Sequence, residues 1–178
     1  MSRISNIEIK QEPEHYTLTI RKTINFMKDY SDFAMQAFAL TGDYLNEMNV
    51  YPISGPVVCF HNQELESLDV EMGWQIAQKI ENRDIMLYNM IPTRKVVSAI
   101  DLGPYEKQDP TLMDVFEWVK ENGYEPQGSI YYYYLNDTER PEAEYLTQMS
   151  MPIKQADEEY GSCGCELDPM YKRALELI

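Results

Sequence analysis

A chain of 178 residues with 44% hydrophobic content can bury a core, as one domain or as two small halves packed closely together. Acidic residues outnumber basic ones 30 to 15, and the net charge of −15 argues against direct nucleic-acid binding while suiting a solvated surface, cationic ligands or a basic protein partner. No stretch approaches the roughly 18 consecutive apolar residues of a membrane span, and Met1-Ser2-Arg3-Ile4 lacks the apolar core of a signal peptide. A cytoplasmic protein with no membrane contact is expected.

Residues 1–14 are polar and irregular, fitting a leader or a short edge strand. Over 16–24 the apolar Tyr16, Leu18 and Ile20 alternate with Thr17, Thr19 and Arg21, the pattern of a half-buried strand. Residues 32–48 carry Phe33, Ala37, Leu40, Tyr44 and Leu45 near helical spacing, which outweighs the unfavourable Gly42. A turn at Ser54-Gly55-Pro56 leads into a strand over 57–61, and 68–77 reads as another. Residues 78–93, with an apolar run over 85–91, link this half to the next.

The second half opens with a strand over 96–100 and a Gly103-Pro104-Tyr105 corner. Asp109 then caps a helix, Pro110 suits its first position, Leu112, Val115, Phe116 and Val119 share one face, and Gly123 stops it. Strands over 129–135, with four consecutive tyrosines, and over 145–153 follow. Both halves therefore run strand, helix, strand, strand. Superposing them puts Gly55 on Gly128, Val57 on Ile130, Phe60 on Tyr133, and 70–76 on 147–153. The expected fold is α+β: duplicated β-α-β-β units, about 15–77 and 94–154, related by a pseudo-two-fold axis. Their antiparallel sheet has helices on one face and a ligand cleft on the other. Residues 1–154 form this domain, and 155–178 an acidic tail with a short helix from Asp168-Pro169.

Several segments resemble one family. Leu102-Gly103-Pro104-Tyr105-Glu106, the helix end Val119-Lys120-Glu121-Asn122-Gly123-Tyr124, the corner Tyr134-Leu135-Asn136-Asp137 and the closing Leu146-Thr147-Gln148-Met149-Ser150-Met151-Pro152-Ile153 are similar to the gyrase-inhibitor-like (GyrI-like) small-molecule-binding domain. Asp69-Val70-Glu71-Met72-Gly73 resembles the corresponding first-half segment. The same domain is the effector-binding domain of multidrug-responsive bacterial transcription regulators. The resemblance implies a cleft that binds lipophilic, often cationic, molecules among aromatic rings and a buried carboxylate. In regulators a helix-turn-helix module precedes the domain, and fourteen residues before the first strand are too few for one. The expectation is a stand-alone small-molecule-binding protein. The alternatives are a hydrolase of electrophilic small molecules and a protein-partner inhibitor of the gyrase-inhibitor type. The family glutamate that follows the threonine of the last strand is Gln148 here, which hydrogen-bonds but carries no charge.

Glu71 is the first-half counterpart of Gln148. If Phe60 and Leu135 face the helices, strand alternation places Cys59, His61, Tyr132 and Tyr134 in the cleft, and Trp74 with Met72 on the helix side. Tyr105, at the corner, gates the cleft or packs the turn. The candidate ligand-binding set is Glu71, Gln148, Tyr132, Tyr134, His61 and Tyr105. No catalytic residue is assigned, because Cys59 and His61, two apart on one strand, have α-carbons roughly 6–7 Å apart, too loose for a nucleophile-base dyad. No cofactor or metal is expected either: there is no phosphate-cradling glycine loop, the three cysteines make no disulfide framework, and Cys163-Gly164-Cys165 has no nearby Cys or His to complete a zinc set.

Overall fold

The computed structural model describes residues 3–136 and 139–156. The expected tail helix, Cys163 and Cys165 lie outside them. The first unit is β2 (His15–Ile24), α1 (Phe26–Glu47), β3 (Pro52–Phe60) and β4 (Leu68–Ile76). The second is β6 (Arg94–Leu102), α2 (Asp109–Glu121), β8 (Ile130–Tyr134) and β9 (Leu146–Gln155). Three further strands, β1 (Glu8–Glu12), β5 (Leu87–Ile91) and β7 (Tyr124–Pro126), fill the edges.

All strand pairs are antiparallel, in the order β1-β6-β9-β8-β3-β4-β2-β5, with β7 pairing separately to β9. The sequence β6-β9-β8 repeats β2-β4-β3 in reverse across the β8–β3 junction, as a two-fold axis normal to the sheet demands. Val58 pairs with Tyr132 at that axis, flanked by the reciprocal pairs Val57–Tyr133 and Cys59–Tyr131. Within the units, Cys59–Glu71 corresponds to Tyr133–Gln148 and Phe60–Val70 to Tyr134–Thr147. Glu71 and Gln148 are thus equivalent, as the sequence superposition has them. Its β3–β8 alignment is one residue out: Phe60 corresponds to Tyr134, not Tyr133. A slip of one residue exchanges the two faces of a strand.

Both helices pack on one face. Leu18, Ile20, Val58, Val70 and Met72, all 3% exposed or less, meet Phe33, Ala37, Tyr44 and Leu45 of α1. Val97, Ala99, Met151 and Ile153 meet Val115 and Val119 of α2. Each of the Val, Leu, Ile, Met and Phe side chains among them contributes about 1.5–3 kcal/mol by leaving water. Helix α1 begins at Phe26, six residues before the start its spacing predicts, because Asn25 caps it: the Asn25 side chain accepts from Lys28 N, while Asp29 accepts from Asn25 N. It ends at Glu47 with Met48 as its C-cap, and Asn49 just beyond adopts φ 54°. Helix α2 stops at Gly123, at φ 72°. Gly55 is required by a close approach, since a β-carbon there would lie 1.9 Å from the Tyr134 carbonyl oxygen.

Candidate functional site

Beside the two-fold axis, on the helix face, six aromatic rings converge. Phe60 on β3 meets Tyr132 on β8 edge-on at 5.3 Å between centroids, and Tyr30 of α1 stacks on Phe60 at 6.3 Å. Tyr105, in the turn after β6, lies 4.8 Å from both Tyr134 and Tyr145. Tyr134 interacts with Tyr30 and closes the chain of rings. All six are half-buried, so they neither seal into the core nor stand free in water. Burial pushes the Tyr105 phenol up to about 12 and those of Tyr132 and Tyr134 higher still, so their hydroxyls stay neutral. The charges of Asp109 and Asp101 add to the rise at Tyr132.

The opposite, helix-free face carries a polar cluster. Cys59 and Glu71 are direct cross-strand partners, and His61 lies two residues beyond Cys59 on the same face. His61 Nε2 is 2.9 Å from Glu71 Oε2, and its Nδ1 is 2.8 Å from the Ser129 hydroxyl. The other carboxylate oxygen of Glu71 accepts from the Thr19 hydroxyl and, at 2.8 Å, from Asn89 Nδ2. The Cys59 thiol and the Glu71 carboxylate beside the ring hold the His61 pKa at about 9. Burial works against the Glu71 charge, yet the bonds from His61 and Thr19 hold its carboxyl below the ordinary value. Both groups are therefore charged at neutral pH, an imidazolium donating to a carboxylate.

The second unit carries a different set at the equivalent places. Tyr133 and Gln148 stand where the first unit has Cys59 and Glu71. Tyr133 donates to Glu12 Oε1 at 3.2 Å, Glu12 pairs with Arg94 at 2.6 Å, and the Arg94 guanidinium lies 4.1 Å above the Tyr131 ring.

The six residues expected to share one cleft are divided between the faces. Tyr105, Tyr132 and Tyr134 are on the helix side, whereas His61, Glu71 and Gln148 are on the other, which corrects the expected shared face of His61, Tyr132 and Tyr134. Leu135 does not pack under the helices but is 42% exposed. Trp74 does lie on the helix side with Met72, its indole donating to the Phe38 carbonyl at 3.3 Å. Sequence reasoning missed Tyr30, Phe60 and Tyr145 as members of the ring cluster, and Thr19, Ser129 and Asn89 in the polar one. The spacing Phe26-Tyr30-Phe33-Ala37 carried a signal for Tyr30. Nothing in the sequence pattern marks Asn89.

A duplicated antiparallel sheet with a cluster of half-buried rings between its two helix-bearing units defines the fold class of the protein. The chain belongs to that class by family: the model of the GyrI-like small molecule binding domain matches residues 5–154. No curated protein sequence matches the chain. Among solved structures, the chain resembles EcmrR in a complex with DNA, with TM-score 0.74 and 19% identity over 85% of this chain and 58% of that one. The EcmrR C-terminal domain alone gives TM-score 0.67 and 18% identity over 85% and 98%. A hydrolase from Listeria innocua gives TM-score 0.60 and 11% identity over 83% and 91%. SAV2435 bound to tetraphenylphosphonium gives 0.57 and 12% over 84% and 94%. At these identities the likeness is one of fold. Among the described residues no helix is long and apolar enough to cross a membrane.

Proposed function

We propose that the half-buried tyrosine cluster is the small-molecule site of this domain, and that its ligand is a lipophilic molecule bearing aromatic rings and a positive charge. The carrying observation is the convergence of Tyr30, Phe60, Tyr105, Tyr132, Tyr134 and Tyr145 within reach of the Asp101 and Asp109 charges. Tyrosine faces attract cations, and neutral phenols supply hydrogen bonds without a competing charge. Binding of tetraphenylphosphonium by SAV2435, which shares the fold, is consistent with this reading and supplies a probe. Glu71 and Gln148 take no part in it, because they lie on the other face. For the same reason a hydrolytic mechanism pairing Glu71 with Tyr132 or Tyr134 lacks the geometry it needs.

The test is a thermal-shift titration with tetraphenylphosphonium. At a hundredfold excess over Kd the ligand adds about 2.7 kcal/mol, or roughly 5–10 °C in Tm for a domain of this size. Tyr105→Ala, which removes a turn residue rather than a sheet residue, weakens this response about tenfold or more, whereas Glu71→Gln leaves it unchanged. A response that survives Tyr105→Ala and Tyr134→Ala, or that disappears in Glu71→Gln, puts the site elsewhere.

A further inference from the structure

The polar cluster on the helix-free face has no role in that binding function. We propose that Cys59, His61 and Glu71 form a zinc site, holding the ion through a thiolate, an imidazole nitrogen and a carboxylate oxygen, with the fourth position open to water. Strand pairing brings the three together: Cys59 faces Glu71 across the β3–β4 ladder and His61 follows on the same side. Their ligand atoms all lie within 4.8 Å of one another. Ligands about 2.0–2.3 Å from a tetrahedral zinc are themselves roughly 3.3–3.8 Å apart, so rotamer adjustments of about an ångström suffice.

Donor chemistry and surroundings agree with this assignment. One thiol, one imidazole and one carboxylate select zinc over magnesium or calcium, and three protein ligands with an open place are the pattern of zinc sites that exchange a water. Outer partners that orient metal ligands are already in position. Ser129 holds the far ring nitrogen of His61, and Thr19 and Asn89 hold the far oxygen of Glu71. The His61 and Glu71 side chains keep 17% and 16% of their surface in solvent, which leaves an ion a way in. The fold itself does not require this set, since the equivalent places in the second unit hold Tyr133, Leu135 and Gln148. Binding is balanced by protons: the ion displaces one from the Cys59 thiol and one from the liganding nitrogen of His61, both lost to solvent, while Glu71 binds as the carboxylate it already is.

The experiment uses the full chain carrying Cys163→Ser and Cys165→Ser, which removes the other thiols as metal donors. Zinc is titrated calorimetrically into the metal-stripped protein, and cobalt serves as an optical reporter. The expected result is one ion per chain at sub-micromolar affinity. The cobalt form shows the visible bands of a tetrahedral site and a near-ultraviolet sulfur-to-metal band that is absent in Cys59→Ser. Glu71→Gln weakens zinc binding by more than tenfold, and Ser129→Ala, which removes only an outer partner, by about tenfold. Circular dichroism checks each fold; if Cys59→Ser does not fold, the Glu71→Gln and Ser129→Ala titrations decide. Absence of tight binding without Cys163 and Cys165, or affinity unchanged in Glu71→Gln, overturns the assignment. Because the ion sits across the sheet from the tyrosines, neither result depends on tetraphenylphosphonium binding.

Discussion

Val70 and Glu71 are neighbours in sequence, yet they face different chemical worlds. Val70 is fully buried under α1 among aliphatic side chains and rings. Glu71 points to the helix-free face, where His61, Thr19 and Asn89 converge on its two oxygens. The same sheet thus presents an apolar, aromatic side and a polar side, where charge and hydrogen bonding decide what is tolerated. The chemistry of either side depends on which way a single strand residue points.

The most severe way to break this contrast is to place a charge on the helix side. Val70→Asp buries an unpaired carboxylate and is expected to cost more than about 4 kcal/mol, leaving little folded protein by circular dichroism. Gly55→Ala comes next: its new methyl would collide with the Tyr134 carbonyl, prying at the β3–β8 junction for about 1–3 kcal/mol and loosening the ring cluster, which denaturant unfolding reads out. Glu71→Gln, one residue from Val70, is milder. In metal-free protein it leaves the His61 ring beside a neutral amide, a loss of about 1–3 kcal/mol with the fold retained.

A smaller effect follows from proton linkage. The His61 pKa is raised from 6.5 to about 9, so the stability contributed by the pair is fully present below about pH 6.5 and is lost as pH rises through about 9. In the presence of a chelator, Tm is expected to decline over that interval, and the decline should flatten in Glu71→Gln; a Tm that rises from pH 6.5 to 9 contradicts the ion pair. The smallest effect belongs to Arg21→Ala. It breaks the exposed two-pronged pair with Asp69 and shifts stability by less than about 1 kcal/mol, without altering either face.

How much of this was legible in the sequence depended on alternation. Strand β2 reads unambiguously, because Leu18 and Ile20 alternate with Thr17 and Thr19 and the sheet buries them on the helix side as the pattern says. Strand β8 offers Tyr131-Tyr132-Tyr133-Tyr134, four identical residues with no parity, and β3 offers Val57-Val58-Cys59-Phe60, all apolar. Only the hydrogen-bonded register with β4 and β9 tells which residues share a side. The one-residue slip in the superposition therefore carried the tyrosines to the wrong face while leaving the order of elements and the Glu71–Gln148 equivalence intact. Asn89 was unreadable for another reason. It belongs to β5, which joins the sheet beside β2, and its contact with Glu71 spans 18 residues of chain that follow no repeat.

Val58 and Tyr132 meet on the axis, and that placement bears on how the molecule became lopsided. Two separate copies of a single unit could assemble through the same strand pairing, but whatever one copy carried the other would have to carry too. Joined in one polypeptide, the copies are free to drift apart. One carries a histidine–carboxylate set with a thiol beside it, while its sister has a phenol, an aliphatic chain and an amide at the same places. Covalent linkage converts a symmetric scaffold into one that can hold two unlike chemistries without doubling either.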